Sequence, residues 1–306
     1  MPVRIVVAVT DRDWFDHLRQ QQPQPSEINF WSPSPKPFRA LRHGELFLFK
    51  LHAPINMIVG GGIFDAAYVL PLQLAWEALG TGNGAQSASE MRSRIGRYRP
   101  DAGTVGPIEI GCRILTQPFF LPESQWISPP SWSPNIVSFR GYSTDNEEGR
   151  TLWETVVAAR DGVQHSAGLS EPAMRYGEPT LIRPRLGQGA FRLLVTDVYN
   201  RRCAITGERT LPALEAAHIR PYSEGGEHAG SNGILMRRDV HSLFDAGYVT
   251  VTKEHRFEVS RRIREEFENG RHYYALHGAS VTLPDRIDLK PDADALLWHN
   301  ENRYLG

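Results

Sequence analysis

Cysteine is scarce in this chain of 306 residues, which contains only Cys112 and Cys203. The two lie far apart and cannot form a CxxC pair, so the sequence argues against both a cysteine-rich zinc site and a disulfide framework. Such low cysteine usage is typical of a protein in a reducing compartment. We therefore expect a cytoplasmic protein.

Long apolar runs are also missing. No run approaches the ~20 residues that a bilayer crossing needs, and the N-terminal MPVRIVVAVTDRDWF turns acidic too early for a signal peptide. Charge of one sign is equally absent, since 34 Lys and Arg stand against 35 Asp and Glu for a net charge of -1. Any binding of nucleic acid must therefore come from local patches.

What the chain does have is enough apolar sequence for two domains. Its 306 residues, 41% of them hydrophobic, exceed what one ordinary core of ~100–200 residues needs. The stretch from 143 to 190 is polar and carries Pro172, Pro179 and Pro184, which is typical of a boundary. We predict an N-terminal domain over 1–165, a linker over 166–182 and a C-terminal domain over 183–306.

The N-terminal half predicts a mixed, strand-rich structure. RIVVAVT, ELFLFKL, INMIVGGGIFDAAYVL, IEIGCRILT and NIVSFRGY are strand-like. DRDWFDHLRQQ, LPLQLAWEALG and SASEMRSRIGRYR predict short helices, the last with Ser87 and Glu90 at capping-box spacing. TLWETVVAAR predicts a further helix before the boundary. The fold class expected for the chain is α+β.

Arginine is concentrated after the boundary. Residues 182 to 220 hold seven arginines and three acids, a local balance of 7 − 3 = +4. Such a patch suits DNA phosphates, although a solvated basic helix is the alternative. Arg92, Arg94, Arg97 and Arg99 form another basic run. The residues predicted to contact DNA are Arg183, Arg185, Arg192, Arg220 and Arg237, with the last two equally open to a solvated role.

The stretch from 215 to 245, EAAHIRPYSEGGEHAGSNGILMRRDVHSLFD, concentrates candidate chemistry. LEAAHI predicts a strand that ends near His218, and a glycine-rich loop then leads to Asn232 and a second strand, GILM. RRDVHSLFDAG predicts a short helix closed by Gly247. On that helix His241 and Asp245 are four residues apart, so both side chains lie on one face within reach of a single cation. YVTVTKEHRFEVS predicts a hairpin.

This order of residues resembles the HNH nucleases. Asn232 follows His218 by 14 residues (232 − 218), and His241 follows Asn232 by 9 (241 − 232). CAITGE, EAAHI, NGILM and HSLFDAGYVTV extend the resemblance over about 185 to 262. The resemblance implies a ββα-metal fold in which His218 is the general base, Asn232 fixes the loop and the orientation of that histidine, and His241 binds a divalent cation.

One position departs from the family pattern. Many members carry Asp or His immediately before the base as a metal ligand, whereas this chain has Ala217. Asp245 is expected to complete the site, with Glu215 as the second candidate and a purely structural aspartate as the alternative. Mg²⁺ is the expected cofactor because it suits oxygen-rich phosphate sites, while Mn²⁺, Ni²⁺ and Zn²⁺ stay open.

Two other residues of this region are expected to have no chemical role. His228, in the glycine-rich loop, is predicted to be a solvated side chain. Cys203 has no cysteine partner nearby and is predicted to be a buried, small apolar residue.

The N-terminal half resembles the PUA-like group, notably EVE-type and ASCH-type domains, over about 1 to 165. The resemblance is carried by FWSPSPKPF, ELFLFKL, IVGGGIF, LAWEALG, NGAQSASEMRSRI and IEIGCRIL in that order. It implies a small β-barrel with short helices and a pocket for a flipped base. The pocket candidates are Phe30, Trp31, Ser32, Phe64, Trp76 and Asn83, with ordinary core packing as the alternative for the tryptophans.

A base reader joined to a ββα-metal nuclease resembles the modification-dependent restriction endonucleases. The implied substrate is double-stranded DNA that carries a modified base, commonly cytosine, in a prokaryotic cytoplasm. Cutting both strands needs two nuclease centres, so a homodimer or paired binding is expected. The alternatives are an HNH DNase without modification dependence and a non-catalytic nucleic-acid-binding module, which Ala217 favours.

Overall fold

The chain divides into two units, Met1–Arg185 and Leu186–Gly306. In this computed structural model the described residues are 2–100, 106–167 and 187–306. Residues 161–167 are described as backbone only. Most of the predicted linker, 166–182, lies outside the described residues. The same holds for two predicted DNA contacts, Arg183 and Arg185. None of the described helices is long and apolar enough to cross a membrane.

The N-terminal unit is a six-stranded mixed sheet with helices around it. Its elements are β1 (Arg4–Thr10), α1 (Arg12–Arg19), β2 (Glu27–Asn29), β3 (Leu46–Leu51), β4 (Ile58–Pro71), α2 (Leu72–Leu79), α3 (Ala88–Tyr98), β5 (Glu109–Phe120), β6 (Phe139–Ser143) and α4 (Glu147–Ala167). The strands lie in the order β2-β5-β4-β3-β1-β6. The α+β class is confirmed.

The central strands of this sheet are buried on both faces. Along β1, Ile5 and Val7 enter a cluster with residues of α4, whereas Val6 and Ala8 enter another with residues of α1. This is the period of two expected for a strand between two apolar layers. β1 pairs parallel with β3 and antiparallel with β6, so the sheet links distant parts of the unit.

β4 carries a glycine triplet at 60–62, and its pairing with both neighbouring strands shifts register beside or within it. A Cβ on Gly60 would lie 2.3 Å from the Phe119 carbonyl oxygen and 2.5 Å from the Phe49 ring, so only glycine permits this approach. Within the described residues, the expected barrel is not closed, because β2 and β6 are the two unpaired ends of the sheet. Both are short edge strands, of three and five residues.

The predicted capping box at the start of α3 is present in part. The Ser87 hydroxyl accepts the Glu90 N–H at 3.1 Å, while the Glu90 carboxylate accepts from the N–H of Gln86 at 2.8 Å. Arg94 is buried and pairs with Glu90 at 2.6 Å, and Arg99 donates to two backbone carbonyls. These two arginines therefore stabilise the unit itself, which differs from a basic run that follows DNA.

The C-terminal unit is built around a ββα arrangement. Its elements are α5 (Gln188–Val198), β7 (Leu214–His218), β8 (Gly233–Arg237), α6 (Arg238–Asp245), β9 (Val249–Val251), β10 (Phe257–Val259), α7 (Arg262–Phe267), α8 (Arg271–Tyr274) and α9 (Ala293–Asn302). β7 and β8 pair antiparallel, as do β9 and β10. The predicted strands, helix and hairpin of this region are confirmed.

Helix α6 is fixed by its apolar face. Val240 and Phe244 are buried in the core cluster that also receives β7 and β8, so His241 and Asp245 remain on the other side. The helix ends at Asp245, and Gly247, two residues further on, has a φ of 79°, the left-handed conformation that favours glycine. The amphipathic pattern of RRDVHSLFDAG thus predicts which face bears the candidate ligands.

A buried histidine ties α9 to this core. His299 is 2% exposed, and its ring stacks on Phe244 at 3.7 Å. Its Nε2 lies 3.1 Å from the Phe244 carbonyl oxygen, so Nε2 donates and Nδ1 accepts from the Thr250 hydroxyl at 2.8 Å. Burial lowers the pKa of His299 to about 4, because a charge here is poorly solvated.

This histidine should make the C-terminal unit unstable to acid. Its pKa is lowered from 6.5 to about 4, so between those values the unfolded chain binds a proton that the folded chain does not. The free energy of unfolding should fall by roughly 2–3 kcal/mol across that window, with its full value retained above it. Urea unfolding of His299→Gln, which keeps a donor and an acceptor, should give a flatter pH profile; an unchanged slope would remove His299 as the cause.

Candidate active site

The ββα arrangement brings most of the predicted catalytic and metal-binding side chains to one cavity of about 550 Å³. We name it the histidine cavity. It is lined by His218 from β7, His241 from α6 and Arg192 from α5, together with the two carboxylates predicted as ligands, Glu215 and Asp245. Asn232 does not line it.

His218 lies at the end of β7 with its ring stacked on Phe191 of α5, at 3.9 Å between centroids and 11° between planes. β8 begins at Gly233, where a Cβ would lie 2.4 Å from Val195 and 2.9 Å from the Phe191 ring, so only glycine leaves room for α5 here. Burial, and then the neighbouring His228 and His241, lower the pKa of His218 to about 4. The imidazole is therefore neutral at pH 7 and has a lone pair that can accept a proton.

His228 is not the solvated side chain that the sequence predicts. Its Nδ1 lies 2.9 Å from Nε2 of His218, and its ring stacks on Tyr222 at 4.9 Å and 12°. Burial lowers the pKa of His228 as well. The glycine-rich loop therefore carries a second histidine into contact with the candidate base.

Asn232 acts on the loop through three hydrogen bonds. Its Oδ1 accepts the N–H of Arg220 at 2.9 Å, and its Nδ2 donates to the carbonyl oxygens of Arg220 and Glu227 at 2.9 and 2.8 Å. The side chain is 6% exposed, so these bonds are protected from water. Asn232 closes the loop that bears His228, and its side chain contacts that loop's backbone.

His241 lies between two carboxylates. Its Nδ1 is 2.9 Å from Oε2 of Glu215, and its Nε2 is 3.3 Å from Oδ2 of Asp245. Glu215 also accepts from Nε of Arg238 at 2.7 Å. Although burial acts to raise it, the bonds from His241 and Arg238 hold the pKa of Glu215 below its ordinary value. Glu215 is therefore ionised and well held.

Imidazole and carboxylate oxygens are suitable donors for a divalent cation. The two carboxylates contact opposite nitrogens of one ring. A cation bound to one nitrogen of His241 therefore cannot also be bound by both carboxylates. Consistently, the part of the chain that the structure describes has no group of three or more His, Cys, Asp or Glu set to hold a metal. The donors fit a cation that takes its other ligands from phosphate and water.

The predicted DNA-binding arginines lie in different surroundings. Arg192 lines the histidine cavity, while Arg220 donates to the Glu224 carbonyl at 2.6 Å and lies 5.3 Å above the Trp298 ring. Arg237 forms two hydrogen bonds to Asp239 and lines a separate cavity. Arg303 of the C-terminal segment lines the histidine cavity and was missed, since it lies far from the motif in sequence.

Cys203 is buried, as predicted. Its Sγ also accepts the backbone N–H groups of Thr206 and Arg237, both at 3.3 Å. The sulfur thus closes the turn that precedes β7, which a purely apolar side chain would leave unsatisfied.

The N-terminal unit has an aromatic cavity of about 260 Å³, close to the ~300 Å³ lower end for ligand pockets. Of the predicted pocket residues, Phe30, Trp31 and Ser32 line it. Phe64, Trp76 and Asn83 do not. Asn83 is fully buried and donates to the carbonyl oxygens of Ala75 and Gly80.

Several polar side chains of this aromatic cavity were not predicted from the sequence. Asp11 accepts from the Tyr98 hydroxyl at 2.9 and 3.0 Å, and Nε2 of His52 lies 3.3 Å from the same carboxylate. Arg113 also lines the cavity, 5.1 Å above the Phe38 ring. These residues come from separate segments, so no motif spacing signals them.

Comparison with solved structures gives distant similarities. ASCH from Zymomonas mobilis is 10% identical, over 49% of this chain and 94% of its own, with a TM-score of 0.34. The modification dependent TagI restriction endonuclease is 13% identical, over 98% of this chain and 81% of its own, with a TM-score of 0.29.

No curated protein sequence matches the chain. A family model does: residues 203–252 match HNH_2, described as HNH endonuclease. That segment holds the residues that carry the predicted resemblance, namely Glu215, His218, Asn232, His241 and Asp245. The resemblance to HNH nucleases is thus confirmed, and residues 203–252 form an HNH endonuclease segment of this chain.

Proposed function

We propose that this protein is a modification-dependent DNA endonuclease, which hydrolyses phosphodiester bonds near a modified cytosine held by its N-terminal unit. The observation that carries the nuclease function is the meeting of His218, His241 and two carboxylates in one cavity, within the HNH segment. Double-stranded DNA is the substrate. Cutting both strands needs two such centres, so two copies act together.

His218 is the general base of this mechanism. A water molecule attacks phosphorus and loses a proton to the neutral imidazole of His218. The bond from phosphorus to the leaving oxygen breaks, and that oxygen keeps the bonding pair and takes a proton from solvent water. Arg192, which lines the histidine cavity, contacts a phosphate of the bound strand. Each of these groups acts on the phosphate or its attacking water, so neither contributes sequence selectivity.

His241 and Asp245 are the pair that would hold a divalent cation, with Mg²⁺ as the first candidate. The 2.9 Å contact of Nδ1 with Glu215 makes Nδ1 the donor and leaves the lone pair on Nε2, beside Asp245. Glu215 is then an orienting group, because its two oxygens are taken by Arg238 and His241. When bound, the cation supplies positive charge beside the phosphate and the leaving oxygen.

The aromatic cavity is the proposed base pocket. A flipped base is held by stacking and by hydrogen bonds to its pairing edge. Phe30 and Trp31 provide apolar walls, and the Asp11 carboxylate is an acceptor that suits the amino group of cytosine. Near it, Val137 and Phe139 are 82% and 42% exposed, and exposed apolar side chains of this kind favour a binding surface.

The test is cleavage of matched duplexes that carry unmodified, methylated, hydroxymethylated or glucosylated cytosine, with Mg²⁺ or Mn²⁺. We expect cleavage of one modified duplex and none of the unmodified one. Equal cleavage of all four would leave an HNH DNase without modification dependence. Binding without cleavage under any metal would leave a nucleic-acid-binding module.

Asp11→Asn tests the base pocket separately. The amide no longer offers a charged acceptor to an amino group, so binding of the modified duplex should weaken about 10- to 100-fold, the equivalent of roughly 1.5–3 kcal/mol for a charged hydrogen bond. Binding of the unmodified duplex should not change. Fluorescence anisotropy measures both affinities. Asp145→Asn, on the surface of the same unit, is the matched control, and equal effects of the two variants would contradict the assignment.

A further inference from the structure

The contact between His218 and His228 joins the candidate base to a loop residue. His228 lies between β7 and β8, ten positions after His218, and the two rings meet through Nδ1 of His228 and Nε2 of His218 at 2.9 Å. This distance is a full hydrogen bond, so one nitrogen carries a hydrogen and the other a lone pair. The direction of this hydrogen bond decides whether His218 has a free lone pair and can act as a base.

Both rings are held in plane. His218 stacks on Phe191 and His228 on Tyr222, with 11° and 12° between ring planes. The two histidines cross at 64°, and the loop between them is closed by Asn232 through the backbone of Arg220 and Glu227. Neither ring is free to turn away, so the contact is a fixed part of the site.

We propose that His228 is a positioning residue that accepts the Nε2 hydrogen of His218 and so leaves the lone pair of His218 on Nδ1. This inference rests on the proposed role of His218 as the base. In the opposite arrangement His228 donates to Nε2 of His218, Nδ1 of His218 carries the hydrogen, and the one lone pair of His218 is occupied by the bond from His228. Only the accepting arrangement also suits the protonated His218, because both of its nitrogens then donate.

The chemistry follows from that assignment. When Nδ1 of His218 takes the proton from the attacking water, Nε2 already bears its hydrogen and the bond to His228 persists. No proton moves between the two histidines, and His228 keeps its own hydrogen on Nε2. The loop histidine thus maintains the reactive form of His218 between turnovers, in the way that hydrogen-bond partners fix the tautomer of metal-bound histidines.

Nitrogen-15 NMR of histidine-labelled protein reads the tautomer directly. In the wild type, His218 should show a protonated Nε2 and an unprotonated Nδ1. In His228→Ala, that signature should give way to a mixture of tautomers, and kcat should fall about 10- to 100-fold with little change in KM. His228→Asn, whose amide oxygen can accept, should restore both. His272→Ala, on the surface of α8, is the control.

Two results would overturn the proposal. One is an Nδ1 hydrogen on His218 in the wild type; the other is an unchanged tautomer in a folded His228→Ala, which would make any loss of activity structural. Thermal unfolding of each variant checks that it is folded, and His228→Asn keeps the test open if the alanine variant is not. Since NMR needs no cleavage, an inactive wild type with the expected tautomer would defeat the proposed function alone.

Discussion

Replacing His218 by asparagine should lower the single-turnover rate of DNA cleavage by about 10²–10⁴-fold, the usual contribution of a positioned base. Asparagine fills similar space against Phe191 and can still bond to His228, but it cannot take a proton. Affinity for DNA should change little, because the imidazole is neutral and attracts no phosphate. Rapid-quench cleavage of a modified duplex gives the rate, and anisotropy without added metal gives the affinity.

The matched control for this variant is His255→Asn. His255 lies in the turn between β9 and β10 with a φ of 59°, a conformation that asparagine adopts readily, and it is not among the residues of the histidine cavity. Its cleavage rate should equal that of the wild type. A His218→Asn enzyme that keeps more than about a tenth of the rate would fall outside the expected range for a lost base and would remove His218 from that role.

Asn232→Ala should destabilise the C-terminal unit by about 3 kcal/mol. The substitution removes the side-chain partner of three partly buried backbone groups, the N–H and C=O of Arg220 and the C=O of Glu227. Cleavage should fall as well, since the loop that carries His228 loses its closure. Urea unfolding gives the free energy, and the amide hydrogen exchange of Arg220 should rise more than that of the β7–β8 pairs.

Asn232→Asp distinguishes the hydrogen bond that the side chain accepts from the two that it donates. A carboxylate can still accept the Arg220 N–H, but it turns an acceptor toward two carbonyl oxygens, so this variant should be no more stable than the alanine variant near neutral pH. Asn302→Ala, which removes one exposed bond to the Trp298 carbonyl, should cost less than about 0.5 kcal/mol. Equal stability of Asn232→Asp and the wild type would show that the donated bonds contribute nothing.

The grouping of side chains in the histidine cavity was largely predictable because its signals are local. Each of β7, β8 and α6 is short and has its own periodicity, and the spacing of His218, Asn232 and His241 falls within one ββα unit. His241 and Asp245 share a helix face by geometry alone. The assignment of Glu215 to an orienting contact was not predictable, since it depends on where Arg238 and His241 meet across the strand and helix.

The aromatic cavity contains residues that local sequence patterns do not indicate. Phe30, Trp31 and Ser32 are consecutive and were predicted together, whereas Asp11 lines the cavity with partners from other segments, His52 and Tyr98. Parallel pairing of β1 with β3 and the docking of α3 bring these positions together, and neither leaves a spacing in the sequence. Asn83 lies outside this cavity, and a buried asparagine that bonds to backbone has the same sequence signal as one that contacts a ligand.

His228 illustrates a different difficulty. A histidine in a glycine-rich loop is usually solvated, and nothing near it in sequence indicates the stack on Tyr222 or the contact with His218. The contact depends on the shape of the loop, which Asn232 sets through backbone bonds. The position of His228 therefore depends on hydrogen bonds that its own identity does not predict.

Two aromatic stacks cross the limits of the HNH segment. Phe191, under the His218 ring, lies before residue 203, and His299, on the Phe244 ring, lies after residue 252. A fragment cut to 203–252 would keep every motif residue and lose both supports. Transfer of this segment to another protein should therefore succeed only when α5 and α9 are included, and a shorter piece chosen by motif alone should yield an insoluble or inactive product.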